Sequence, residues 1–201
     1  SWLIPGPQEG MLMARPASSP ENRFTYTDQY GNTQTAALSA GNTFDQFVIL
    51  QVFNDYLEAA EALGRTDDAF VQEVQAALPK IYRPRIAEDG RLMEWRLPFG
   101  EAEPGHRHIS HLIGAYPGNQ VNLDEDYEMR NAVVKSIETR IANGGASSGW
   151  SRAWTLGLFA RLSDEDRAYQ NLRAMLSGST RDNLWNDRQQ FQIDGNFGST
   201  A

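Results

Sequence analysis

At 201 residues with 40% hydrophobic and 10% aromatic content, the chain holds enough apolar matter for a sizeable core, which excludes a disordered polymer. A net charge of −8 gives phosphate backbones and anionic membranes no long-range attraction, so neither nucleic acid nor membrane is expected as a partner. No apolar run approaches the roughly 20 residues that span a bilayer, and the lack of cysteine excludes disulfides, thiolate nucleophiles and cysteine-ligated zinc.

The first forty residues include seventeen of type Gly, Pro, Ser, Asn or Thr and show no helical period. That predicts ordered loop with at most a short strand. From Thr43 the apolar residues Phe44, Phe47, Val48, Ile49, Val52, Phe53, Tyr56, Leu57, Ala60 and Leu63 recur at helical spacing, with Asn42 or Thr43 as cap and Gly64 as stop. A buried helix is expected there. Thr66 opens a second, with Phe70, Val74, Ala77 and Leu78 on one face and Asp67 and Asp68 in its first turn, until Pro79 ends it. A loop from Tyr82 to Gly105 leads into a histidine segment read as a short helix ending near Tyr116-Pro117.

Helical patterns follow from about Asp124 to Ala142 (Met129, Val133, Ile137, Ile141), from Trp150 to Leu162, and from Asp164 to Leu176. Ser163-Asp164 caps the last, with Glu165 and Asp166 in its first turn. Helix pairs joined by short turns, with few strands, predict an all-α domain of antiparallel pairs. The N-terminus shows no signal-peptide pattern, and the chain neither begins with Met nor ends outside a Gly-rich phrase, so a piece of a longer protein is expected.

Four loop clusters could carry chemistry: residues 18–22, 92–95, 105–111 and 191–198. All three histidines fall in the third. His108 and His111 are three apart, whereas His106 needs the loop to bend it into a shared site. Metal ligation wants three or four ligands, and Glu101 and Glu103 have no recognisable spacing with these residues. A structural hydrogen bond is a second reading; a third has Arg107 and His108 donating to an uncharged, hydroxyl-rich ligand. The residue types alone support all three.

Glu94 stands between Met93 and Trp95, and a carboxyl packed on an indole has its ionised form disfavoured, which suits it to hold a proton for donation. Glu21 follows Pro20, which restricts the backbone presenting it. Asp194 is flanked by Phe191, Ile193 and Phe197, with Gly195 and Gly198 permitting close ligand approach and Asn196 as a partner. Trp150 and Trp154, four apart, could form a stacking wall for a sugar ring or simply join the core. No P-loop or dinucleotide-binding glycine motif occurs, and no cofactor is expected. Aromatics, donors and loop carboxylates together describe a neutral polyhydroxylated substrate.

The phrases "SPEN" at Ser19 to Asn22, "EW" at Glu94-Trp95, "PGHRHISHLIGAYPGNQ" from Pro104, "GWSRAW" from Gly149 and "FQIDGNFG" from Phe191 follow one another in the order and approximate spacing of glycoside hydrolase family 95. The resemblance covers nearly the whole chain. It implies a six-hairpin (α/α)6 barrel, of which residues 1–201 would be a part truncated at both ends, and an inverting α-L-fucosidase, with α-L-galactosidases as relatives. By motif position the general acid is placed at Glu21, with Glu94 as second choice on its indole neighbour. Asp194 would polarise an asparagine that contacts the attacking water; the family's catalytic asparagines lie upstream of "SPEN", so the upstream barrel segment is a needed partner. Arg107, His108, Trp150 and Asn196 would bind the sugar of a fucosylated oligosaccharide, and no metal is implied. The resemblance also suggests a bacterial protein, secreted or periplasmic, and implies that the isolated chain hydrolyses weakly or not at all.

Overall fold

The computed structural model describes residues 3–186. Seven short strands and five α-helices follow in order: β1 (Leu3–Pro5), β2 (Leu12–Ala14), β3 (Ala17–Ser18), β4 (Phe24–Thr27), β5 (Thr33–Ala36), β6 (Leu38–Ser39), α1 (Thr43–Ala62), α2 (Ala69–Ala77), β7 (Gly100–Glu101), α3 (Tyr127–Ala142), α4 (Gly149–Arg161) and α5 (Glu165–Gly178). The helices fall close to their expected places, but the first forty residues form six strands where at most one was expected. β1 pairs with β2, β3 with β6, and β4 lies between β5 and β7, all antiparallel.

The hairpin of β4 and β5 explains the difference. Phe24, Thr25, Tyr26 and Thr27 are aromatic or β-branched types that suit a pleated surface, and they pair in register with Ala36, Thr35, Gln34 and Thr33. The turn between them is tied by Asp28, whose Oδ1 accepts from the amides of Tyr30 and Asn32, with Gly31 at φ +83°. Polar composition here marks a solvated sheet, not an absence of structure.

The main core joins Phe47 and Leu50 of α1, Ile81, Leu92, the histidine segment's Ile109, Leu112 and Ala115, Val133 and Ile137 of α3, and Leu158 and Phe159 of α4. Burial on α1 is concentrated near its start, at Thr43, Gln46, Phe47 and Leu50, where β2, β3 and the histidine segment pack. Val52, Leu63 and Phe70, expected on buried faces, are instead 56%, 73% and 59% exposed. Gln46 is fully buried and acts as a bracket: its Oε1 accepts from the Ala14 amide and its Nε2 donates to the Tyr82 carbonyl. Asp45 accepts from the Ser18 amide. The start of α1 thus fixes the strand segment that runs into Ser19.

The histidine segment is less helical than expected, with a single 3-10 turn at Ser110–Leu112. Two close backbone approaches hold it. A Cβ on Gly105 would stand 1.8 Å from the Asn143 carbonyl oxygen at the end of α3, and one on Gly157 of α4 would stand 2.3 Å from the Tyr116 ring. Only glycine lets these elements meet. Among the described residues no helix is long and apolar enough to cross a membrane.

Candidate active site

The loop Ser19 to Asn22 leaves β3 and presents Glu21 outward, its side chain 62% exposed, while Ser19 and Asn22 turn inward and are almost fully buried. The Asn22 amide donates to the Ser19 carbonyl at 2.7 Å, closing the turn. The Ser110 hydroxyl donates to the Pro20 carbonyl, which ties the turn to the histidine segment. Across from Glu21, Arg107 Nη2 donates to its Oε2, and His108 Nε2 lies 3.6 Å from the same oxygen. The His108 ring packs on Trp150 with centroids 4.3 Å apart, and Trp150 meets Trp154 edge-on at 5.1 Å. Trp154 is anchored by donating its indole N–H to the Tyr116 carbonyl at 2.7 Å. Glu21, Arg107, His108 and Trp150, separated by up to 129 positions in sequence, therefore share one surface.

His106 orients its neighbour, since its Nδ1 accepts the His108 amide hydrogen at 3.0 Å. Partial burial lowers its pKa, in keeping with an unprotonated Nδ1. Among the described residues no three or more His, Asp or Glu side chains converge as a metal would require. The histidines instead hold backbone, stack on Trp150 and pack in the interior.

Glu94 occupies a different setting from Glu21. Its carboxylate is buried and accepts from Ser19 Oγ at 2.6 Å, from Asn22 Nδ2 at 3.0 Å and from Arg140 Nη2. Arg140 is itself buried and also donates to the Glu103 carbonyl at 3.0 Å. The indole was expected to raise the Glu94 pKa. Burial does push it up, but the positive charge and hydrogen bonds around it outweigh burial and hold it below the usual carboxylate value. His111, with Nδ1 3.8 Å from Glu94, is driven by burial down to about 4. At neutral pH His111 is therefore uncharged, and Arg140 is the cation that keeps Glu94 ionised. The Trp95 ring packs on Phe24, centroids 4.7 Å apart.

Glu94 also lines a cavity of about 470 Å³ with Arg91, Trp95, Phe99, Glu101 and Arg140, whereas Glu21, Arg107, His108 and Trp150 lie outside its walls. Ser19 and Asn22 belong to a loop cluster, and His111 to the histidines, that the sequence marks as candidates, though not for this carboxylate; Arg140 is not singled out there. Arg140 left a signal: it follows Val133, Ser136 and Ile137 on the inward face of α3, where a charge must find a partner. Ile141, placed on that face from sequence, is 40% exposed. Asp194 and Asn196 lie outside the described residues.

The sequence matches the glycosyl hydrolase family 95 catalytic domain across residues 1–201. The chain belongs to that family. The family 95 chain is 34% identical over 211 aligned positions to alpha-L-fucosidase 2 of Arabidopsis thaliana, with 100% of the chain and 24% of that protein covered. It is 29% identical over 205 positions to a probable alpha-fucosidase A of Aspergillus oryzae, covering 94% of the chain and 27% of that protein. It thus spans about a quarter of the length of these relatives.

Proposed function

We propose that this chain contributes the acid side of the active site of an α-L-fucosidase that removes terminal α-linked L-fucose, α-1,2-linked among others, from oligosaccharides with inversion. The relatives' names support the substrate class. The observation that carries the residue assignment is Glu21, solvent-facing at the rim of a surface made by Arg107, His108 and Trp150. In this reading Glu21 gives its proton to the glycosidic oxygen as the bond to the anomeric carbon breaks. Water attacks that carbon from the opposite face and yields its proton to a base, releasing fucose and an alcohol. Both contacts to Glu21 fall on Oε2, which leaves Oε1 to carry the proton. Trp150 offers an apolar wall, and Arg107 and His108 offer donors to sugar hydroxyls. Asp194 polarises the asparagine that handles the water and Asn196 binds the sugar, within an (α/α)6 barrel completed by further segments.

Leaving-group dependence tests the acid. A nitrophenolate departs without protonation, while a sugar alkoxide needs the proton. In the longest protein its gene encodes, Glu21→Gln is expected to lose about 100-fold or more in kcat/KM on an unactivated fucosyl disaccharide and far less on a nitrophenyl α-L-fucoside. Equal losses on the two would remove Glu21 from this role.

A further inference from the structure

On the reading that Glu21 is the acid, we infer that Glu94 is its positioning residue: a buried carboxylate that grips the residues on both sides of the Pro20-Glu21 pair and so fixes where the Glu21 carboxyl stands. The geometry is specific. Ser19, two residues before Glu21, donates to Glu94 Oε1, and Asn22, directly after Glu21, donates to Oε2. Ser19 and Asn22 are 1% and 2% exposed, so these hydrogen bonds are shielded from water and their loss leaves buried polar atoms unmatched. Arg140 completes the clamp from α3, held by the Glu103 carbonyl and lying 3.9 Å from Glu101.

The clamp is anchored on both flanks. The Glu94 carbonyl accepts from the Thr43 amide and the Met93 carbonyl from the Thr43 hydroxyl, locking the segment to the start of α1. Phe24 packs between Trp95 and Phe99, at 4.7 and 4.2 Å, so the chain on the far side of Glu21 is fastened to the same segment. The Glu94 carboxylate is committed to Ser19, Asn22 and Arg140, and the cavity it lines does not include Glu21, Arg107, His108 or Trp150, so it lies apart from the surface on which the sugar is placed. What it can do is hold an exposed acid in place, and displacement of a catalytic group by about 1 Å costs on the order of 100-fold.

The test compares Glu94→Gln, Ser19→Ala and Glu21→Gln in the longest protein the gene encodes, on a nitrophenyl α-L-fucoside and an unactivated fucosyl disaccharide, with melting temperatures. Gln at 94 sets an amide donor against Arg140 or Asn22. The expected result is a loss of about 10- to 100-fold for Glu94→Gln on the disaccharide, carried by kcat with KM within about twofold, and a much smaller loss on the aryl fucoside. Ser19→Ala should show the same bias at smaller size, and it decides the matter if Glu94→Gln does not fold. If Glu21→Gln shows the bias while both other variants lose the two substrates in equal proportion, the inference falls and the acid assignment stands. Absence of the bias in Glu21→Gln overturns both.

Discussion

The two carboxylates that competed for the acid role, Glu21 and Glu94, differ in what surrounds them more than in what they are. Trp95 beside Glu94 suggested a desolvated, proton-holding carboxyl, but the fold packs that indole on Phe24 and brings the buried Arg140 to the carboxylate. Nothing local in "MEW" announces a partner 46 positions away. The interior pairing has a consequence in acid. An unfolded His111 takes up a proton near its usual 6.5, the folded one only near 4, so its contribution to stability is complete above about pH 6.5 and is lost as pH falls through that interval. Glu94, held below its usual value when folded, loses stabilisation in the same direction at lower pH. Melting temperature should therefore fall between pH 6.5 and 4, and His111→Asn should flatten that slope by an amount on the order of 3 kcal/mol across the interval. An unchanged slope in the variant would show that His111 is not the group responsible.

At the scale of elements, helix positions were largely legible because apolar spacing and caps act locally. Asp164 accepts from the Arg167 amide at 3.0 Å and caps α5 as its sequence suggests. The N-terminal strands were missed because their stability comes from pairing between segments, and polar, Thr-rich strands of two to four residues carry no buried period. The histidine segment was misjudged as a helix since Ile109, Leu112 and Ala115 have helical spacing, yet these residues reach the core from a turn. That turn depends on Gly105 meeting the end of α3. Gly105→Ala forces the two apart and should cost about 1–3 kcal/mol in chemical denaturation; on the proposed function, the longest encoded protein should also lose fucosidase activity as Arg107 and His108 shift. A variant of wild-type stability would mean the close approach is not required.

At the scale of the whole molecule, the described residues hold five helices around one shared core, as a helical domain would, but their seven short strands and the exposed apolar residues of α1 and α2 depart from the all-α expectation. The surface joining Glu21, Arg107, His108 and Trp150 was foreseeable in its members from motif resemblance, but its assembly rests on long-range contacts that no spacing rule supplies. The partners that hold it, Ser19, Asn22, Ser110 and Arg140, look like ordinary polar residues until the fold brings them together. The most direct measurement is a crystal structure of the longest encoded protein with a fucose-configured iminosugar bound. The account predicts the ring against Trp150, Arg107 or His108 donating to its hydroxyls, and the Glu21 carboxyl within about 3 Å of the leaving-group side. A ligand lodged in the cavity beside Glu94, Arg91 and Glu101, with Glu21 untouched, would contradict it.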